Sequence, residues 1–277
     1  MKRCLNEVRG GDHLKPVPRS KLRIKLGTAY YRTKRYTEWY FGRTNFAKEQ
    51  SSTIYPHELA RHQTPLLRRL KNVEMWLQFN KIKNLEIAIP KLDGIIIHPG
   101  ETLSYWKRIG NPSRRKGYVE GMVLFNGGFK PGLGGGLCQL SNLIYWITLH
   151  TPLVVTERHR HSYDVFLDSN RSQPFGSGAT CAYNYLDLRI YNPTTFPYQL
   201  KLYMTEEQLV GSWNSVIPQQ FKYEVYEKEH KITQEYWGGY MRHNVLHRRV
   251  FNLHEELVDD QYITENHALM MYQPLLK

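Results

Sequence analysis

The sequence predicts an α+β protein with a mixed, largely antiparallel β core, one central helix starting at Cys138, and an α-rich N-terminal region. Three observations predict it. Apolar residues recur at helical spacing between residues 57 and 84. From Leu85 onward the apolar runs are short, β-branched or aromatic, and bounded by Gly, Pro or Asn. One apolar helical stripe follows a run of glycines in the middle of those runs.

Taken in order, residues 1–56 open with Gly10, Gly11, Pro16 and Pro18 and then carry aromatic and basic residues without a sustained period, which predicts an irregular arm with short elements. Over 57–84, Leu59, Leu66, Leu67, Leu70, Val73, Leu77 and Ile82 predict helix, with Pro65 dividing a short one from a longer one. Strands are expected in IIIHPG, GYVEGMVLFNGG, TPLVVTER and YLDLRIYN. Leu140, Leu143, Ile144 and Ile147 fall on one stripe and predict the central helix. Beyond Thr205, FKYEVYEKEHKITQEYW and YMRHNVLHRRVF flank Gly238 and Gly239 as a hairpin would, with a further strand near QYITENH.

Composition excludes several classes. With 41% apolar and 13% aromatic residues, the chain holds too many core formers to be disordered. The start MKRCLNEVRGGDHL lacks the apolar stretch of a secretory signal, and the longest apolar run, 137–149, is interrupted by Gln139, Ser141 and Asn142. A cytoplasmic protein is expected, neither exported nor membrane-spanning. Cys4, Cys138 and Cys181 match no disulfide framework or four-cysteine zinc site, so their thiols are read as free. The net charge of +13 is concentrated at one end: residues 1–71 hold 17 Lys/Arg against 5 Asp/Glu. Such a segment suits nucleic acid, the anionic inner face of a membrane, or acidic cell-wall precursors attached there. Of these, nucleic acid is the least expected, because the arm matches no reader motif.

The most unusual segment is GGFKPGLGGGLCQLSNLIYW. Gly134, Gly135 and Gly136 permit positive φ and close backbone approach, and they lead straight into Cys138. At a helix start a thiol meets free N–H groups and the positive end of the helix dipole, which favours thiolate. Backbone N–H groups near Gln139 would then serve as oxyanion donors. A thiol nucleophile needs a base, and TPLVVTERHRHSYDVF offers His159 and His161. On a strand these two share one face, and Arg158 and Arg160 the other. Asp187, in the next predicted strand, is the candidate orienting carboxylate. Cys138 as nucleophile, His161 as base and Asp187 as orienter follow the order found in papain- and transglutaminase-like enzymes. Gly134, Gly135, Gly136, Gln139, Ser141, Arg158 and His159 complete the expected binding site. Two other chemistries use the same residues. His159, His161 and a cysteine are zinc-type ligands but lack an evident fourth, and the glycine loop could cradle a phosphate but lacks the Gly-Lys-Ser/Thr ending of a P-loop. No metal and no cofactor is expected.

The ordered set PGETLSYW (99–106), GYVEGMVLFNGG (117–128), PGLGGGLCQLSNLIY (131–145), ERHRHS (157–162) and SGATCAYNYLDLRIYN (177–192) resembles the VanW family of vancomycin-resistance gene clusters, in its short form without a signal peptide. The resemblance covers roughly residues 95–200, with Gly-Gly-Gly-Leu-Cys-Gln its most specific motif. Together with the texture of the flanking sequence it gives three expected regions: a basic arm and helical region over 1–94, a VanW domain over 95–200, and a β-rich region over 201–277 packed on the same core; the resemblance itself covers only the middle one. It also implies a bacterial accessory protein of B-type glycopeptide resistance, in which peptidoglycan precursors are remodelled. Where longer relatives show Asp-Ala-Thr this chain has Gly178-Ala179-Thr180, so no acidic role transfers there, whereas Asp187 matches within Asp-Leu-Arg-Ile-Tyr-Asn. The function expected is a Cys-His(-Asp) hydrolase or acyl transferase acting on a peptidoglycan precursor. The alternative is a non-catalytic binding or scaffold protein recruited to the inner membrane face by the basic arm.

Overall fold

The computed structural model describes residues 20–67, 74–125, 127–165 and 173–274. Its first element corrects the expected irregular arm. Helix α1 (Lys21–Phe41) begins at Ser20, whose hydroxyl accepts the Arg23 N–H at 3.3 Å, and runs without a proline to Gly42. The hydrophobic period failed to announce it because apolar residues lie on several of its faces, and only Trp39 is buried in the core.

The second correction concerns the expected short helix. His57–Pro65 is a strand, β1, pairing antiparallel with Gln208–Ser215. Leu59 packs against the core and Ala60 is buried, while the flanking polar residues alternate outward, so a partner strand decides the conformation over local spacing. The longer helix is α2 (Met75–Ala88). Leu70 and Val73, also read as helical, lie outside the described residues.

Most of the remaining elements fall where the texture of the sequence puts them. They are β2 (Ile96–Ile97), β3 (Thr102–Ser104), α3 (Tyr105–Ile109), β4 (Glu120–Phe125), β5 (Gly128–Leu133), α4 (Cys138–Thr148), β6 (Val154–Glu157), β7 (Tyr163–Asp164), β8 (Arg189–Tyr191), β9 (Tyr198–Met204), β10 (Gln208–Ser215), β11 (Lys222–Gln234), β12 (Tyr240–Phe251) and β13 (Leu257–Met270). They form sheets ordered β1-β10-β9-β2, β11-β12-β13-β7 and β3-β8-β6, with β4-β5 as a hairpin. All pairings are antiparallel except β13 with β7. The first sheet takes β1 and β10 from either side of the expected 95–200 region.

Helix α4 lies against β1 and β10. Its stripe of Leu140, Leu143, Ile144 and Ile147 is sealed in the core, each side chain contributing about 1.5–3 kcal/mol by burial. The Trp213 indole donates to the Thr148 hydroxyl at 3.0 Å and fixes the far end. The helix start is tied to the end of edge strand β1 through Gln139. Among the described residues no helix is long and apolar enough to cross a membrane.

Candidate functional site

The glycine turn is explained first by packing. Gly134 and Gly136 have φ of +72° and +92°, and a Cβ at Gly135 would collide with the Gly121 backbone on β4. Buried Asn84 of α2 locks this approach: its amide donates to the Gly135 carbonyl at 2.9 Å and its oxygen accepts from Val119 N at 2.9 Å. The turn delivers the chain into α4 with Cys138 as the first helical residue. The Gln139 N–H, expected as an oxyanion donor, is taken by the Gly136 carbonyl at 3.0 Å. Its side-chain amide instead ties down the end of β1, through Thr64 Oγ1 at 2.8 Å and the Pro65 carbonyl at 2.9 Å.

Residue 138 is half-buried, and its sulfur lies 3.7 Å from the Cys181 carbonyl oxygen. Burial pushes the Cys138 thiol up, outweighing the hydrogen bonds that would lower it. The expectation of a helix-tip thiolate is corrected on this point: with the neighbouring N–H groups occupied, desolvation wins. Burial also pushes the Cys181 thiol well up, and the nearby Cys138 adds to the shift.

Residues 178–181 are gripped from two sides. On one side Ser141 donates to the Ala179 carbonyl at 2.7 Å and Asn142 Oδ1 accepts the Ala179 N–H at 2.7 Å, both from α4. On the other side the Thr180 N–H donates to the His159 carbonyl at 2.8 Å, and the Arg158 guanidinium donates to the Gly178 carbonyl at 2.9 Å. Strand β6 ends at Glu157, so His159 and His161 lie beyond it rather than on it. Arg158 also reaches Thr264 and Asn266 on β13, which makes it a brace between segments.

The carboxylate that meets an imidazole is Glu157. Its Oε1 lies 3.0 Å from His159 Nε2, and both oxygens accept from Arg35 of α1, at 2.7 and 2.6 Å. Arg189 Nε stands 3.2 Å from Glu157 Oε2. Burial alone would raise the Glu157 carboxyl; hydrogen bonds from His159 and Arg35 and the Arg35 charge hold it at about 2. Asp187, expected to orient a histidine, is turned elsewhere. It accepts from Ser104 Oγ at 2.5 Å and from the Trp106 and Leu188 N–H groups at 2.9 and 3.0 Å, so it caps α3. Burial pushes its carboxyl up to about 6 despite those bonds. Its backbone N–H still contacts the cluster, donating to Glu157 Oε1 at 3.0 Å. Burial and the Arg158 charge hold the His161 imidazole below its ordinary range, leaving a neutral ring at neutral pH.

Glu157, Asn142 and Arg35 were missed by sequence reasoning. Glu157 had a signal, since it precedes His159 by two and so shares its side of an extended chain. Arg35 had none, lying 122 residues away. Among the described residues Thr180 Oγ1 and both amide atoms of fully buried Asn184 have no protein hydrogen-bond partner. Among the described residues no group of three or more His, Cys, Asp or Glu forms a metal site.

Residues 80–214 match the family model described as VanW like protein, a span that includes Cys138, Glu157, His159 and Asp187. Over 227 residues, 82% of each chain, the sequence is 28% identical to the Vancomycin B-type resistance protein VanW of Enterococcus faecalis (strain ATCC 700802 / V583). Over 121 residues, 43% of this chain and 37% of the relative, it is 26% identical to the Uncharacterized protein YoaR of Bacillus subtilis (strain 168). No solved structure matches. The match over residues 80–214 and the 28% identity across 82% of the chain support its assignment to the VanW family.

Proposed function

We propose that the protein is an accessory factor of glycopeptide resistance that uses the Cys138 thiol as a hydrolase or acyl transferase on an acyl or peptide bond of a peptidoglycan precursor. The observation that carries this reading is the two-sided grip on residues 178–181, because it brings the helix bearing Cys138 and the segment bearing His159 onto opposite edges of one short stretch of chain. A carboxylate-held imidazole on one edge of that stretch and a thiol that burial keeps protonated on the other are the two groups a general-base step needs. In that step an imidazole takes the thiol proton, sulfur bonds to the substrate carbonyl carbon, and the C–N bond breaks with the proton passed to the leaving amine. Water or an acceptor amine then cleaves the thioester, giving its proton to the imidazole and restoring the thiol. The geometry favours His159 as base through Glu157, with His161 as the second candidate. The Thr180 hydroxyl and the Asn184 side-chain amide, close to Cys181 in the chain, add polar groups without partners among the described residues. The resistance context rests on the name of the Enterococcus relative.

Iodoacetamide labelling of the full chain, read residue by residue by mass spectrometry, tests the reading. Cys138 should label faster than Cys181 at neutral pH, and His159→Ala or Glu157→Gln should slow it about tenfold or more. Labelling of Cys138 that is no faster than that of Cys181 and indifferent to both substitutions would favour a second reading. That reading rests on the raised thiol seated on the Cys181 carbonyl, and it makes the 178–181 segment a non-catalytic ligand or partner site.

A further inference from the structure

Helix α1 carries a stripe that nothing among the described residues covers. Leu22, Leu26 and Tyr30, then Thr33, Thr37 and Phe41, follow one another at spacings of three and four and therefore line one face. Leu22, Leu26 and Tyr30 are 66%, 62% and 63% exposed, and Phe41 is 85% exposed. The opposite face is the one docked on the body: Arg35 bonds Glu157, Trp39 is buried, and Glu38 pairs with Arg189. Leaving so much apolar surface in water costs free energy unless it serves an interface.

The charges say what kind of interface. Lys21–Phe41 holds six basic residues and one acid, Glu38, which is already engaged by Arg35 and Arg189. Arg23, Lys25, Arg32 and Lys34 are exposed around the stripe. An apolar stripe flanked by cations is matched by a surface that is anionic at its boundary and apolar beneath it. Three other occupants fit worse. A nucleic acid would answer the charge and leave Leu22, Leu26 and Phe41 in water. A second copy of α1, and the chain's own residues 1–19 with five basic residues against two acidic, would set like charge against like.

We infer that the outward face of α1 is a docking surface for an anionic phospholipid bilayer, lying in the interface with Leu22, Leu26, Tyr30 and Phe41 immersed and the basic residues at the headgroups. The helix lies outside the 80–214 family match, and its outward face is opposite the one that carries Arg35 to Glu157.

Co-sedimentation of the full chain with phosphatidylglycerol/phosphatidylcholine vesicles tests it, with pure phosphatidylcholine vesicles alongside. Binding to the anionic vesicles should be strong at low salt, fall steeply at high salt, and be weak on neutral vesicles. Leu26→Glu with Tyr30→Glu, and separately Arg23→Glu with Lys34→Glu, should each lower the partition coefficient about tenfold or more. Both pairs are exposed, so thermal unfolding should match the parent. Tyr236→Glu, at a site 99% exposed between β11 and β12, should bind as the parent does. Absence of binding to anionic vesicles at low salt, undiminished binding of either double variant, or a concentration-dependent dimer abolished by Leu26→Glu would overturn the inference. Cys138 labelling is read separately, so either proposal can fail alone.

Discussion

The inward and outward faces of α1 are made of similar residues and meet opposite surroundings. Arg35 is tied by two hydrogen bonds to Glu157, while Arg23 and Lys34, on the same helix, stand in solvent. The difference lies in what waits opposite: Glu157 is largely buried and shared among Arg35, Arg189 and His159, so it is useful only while all three stay in place. A charge becomes structural when its partner is desolvated and has no other recourse. The sharpest way to break this comparison is Glu157→Ala. It leaves Arg35 and Arg189 facing a site without its carboxylate and should lower the unfolding free energy by about 3–5 kcal/mol in urea titrations. Arg23→Ala should move it by no more than about 0.5 kcal/mol. Similar values for the two would mean that the inward cluster is no more structural than the bare face.

A pH titration sharpens the same contrast, because two neighbouring carboxyls are shifted in opposite senses. Glu157 is held at about 2, below its ordinary 4.5, so its contribution is present above pH 4.5 and is lost as the pH falls toward 2. Asp187 is pushed up to about 6, above its ordinary 3.8, so its contribution is fully present below pH 3.8 and is lost as the pH rises through 6. Each is worth about 3 kcal/mol by the conversion from pKa to free energy. Urea midpoints measured from pH 2 to 7 should therefore rise and then decline. Glu157→Gln should remove the rising limb and Asp187→Asn the falling one. A decline that persists unchanged in Asp187→Asn would reassign it to another group.

Much of this fold was legible because local chemistry and tertiary context agreed. The α4 stripe of Leu140, Leu143, Ile144 and Ile147, and the paired strands around Gly238 and Gly239, formed as their periods predict. Failures came where a distant partner decided. His57–Pro65 reads as helix by the spacing of Leu59 and Leu66, yet β10, some 150 residues later, recruits it as an edge strand. Helix α1 had a serine cap and no internal proline, but its apolar residues face outward and broke the pattern that assumes a buried stripe. At the site, Cys138 at the helix start was readable from the glycines before it. Its protonation was not, since burial depends on Cys181 and the segment around it. Asp187 matched the family pattern, but the pattern carries no direction, and Ser104 and the Trp106 N–H claim its oxygens.

The smallest expected effect bears most directly on the bare face. Leu26 is 62% exposed, and truncating it removes little that folding buries, so Leu26→Ser should change the unfolding free energy by less than about 0.5 kcal/mol. Trp39, thirteen residues along the same helix, is 6% exposed and belongs to the core, with its ring 6.4 Å from that of Tyr183, so Trp39→Ala creates a cavity instead. If Leu26→Ser proved clearly destabilising in the isolated chain, that side chain would already be covered in solution, by this chain or by a second copy. A neutral result leaves the apolar stripe without any role in folding, which is the condition under which its exposure calls for a surface outside the protein.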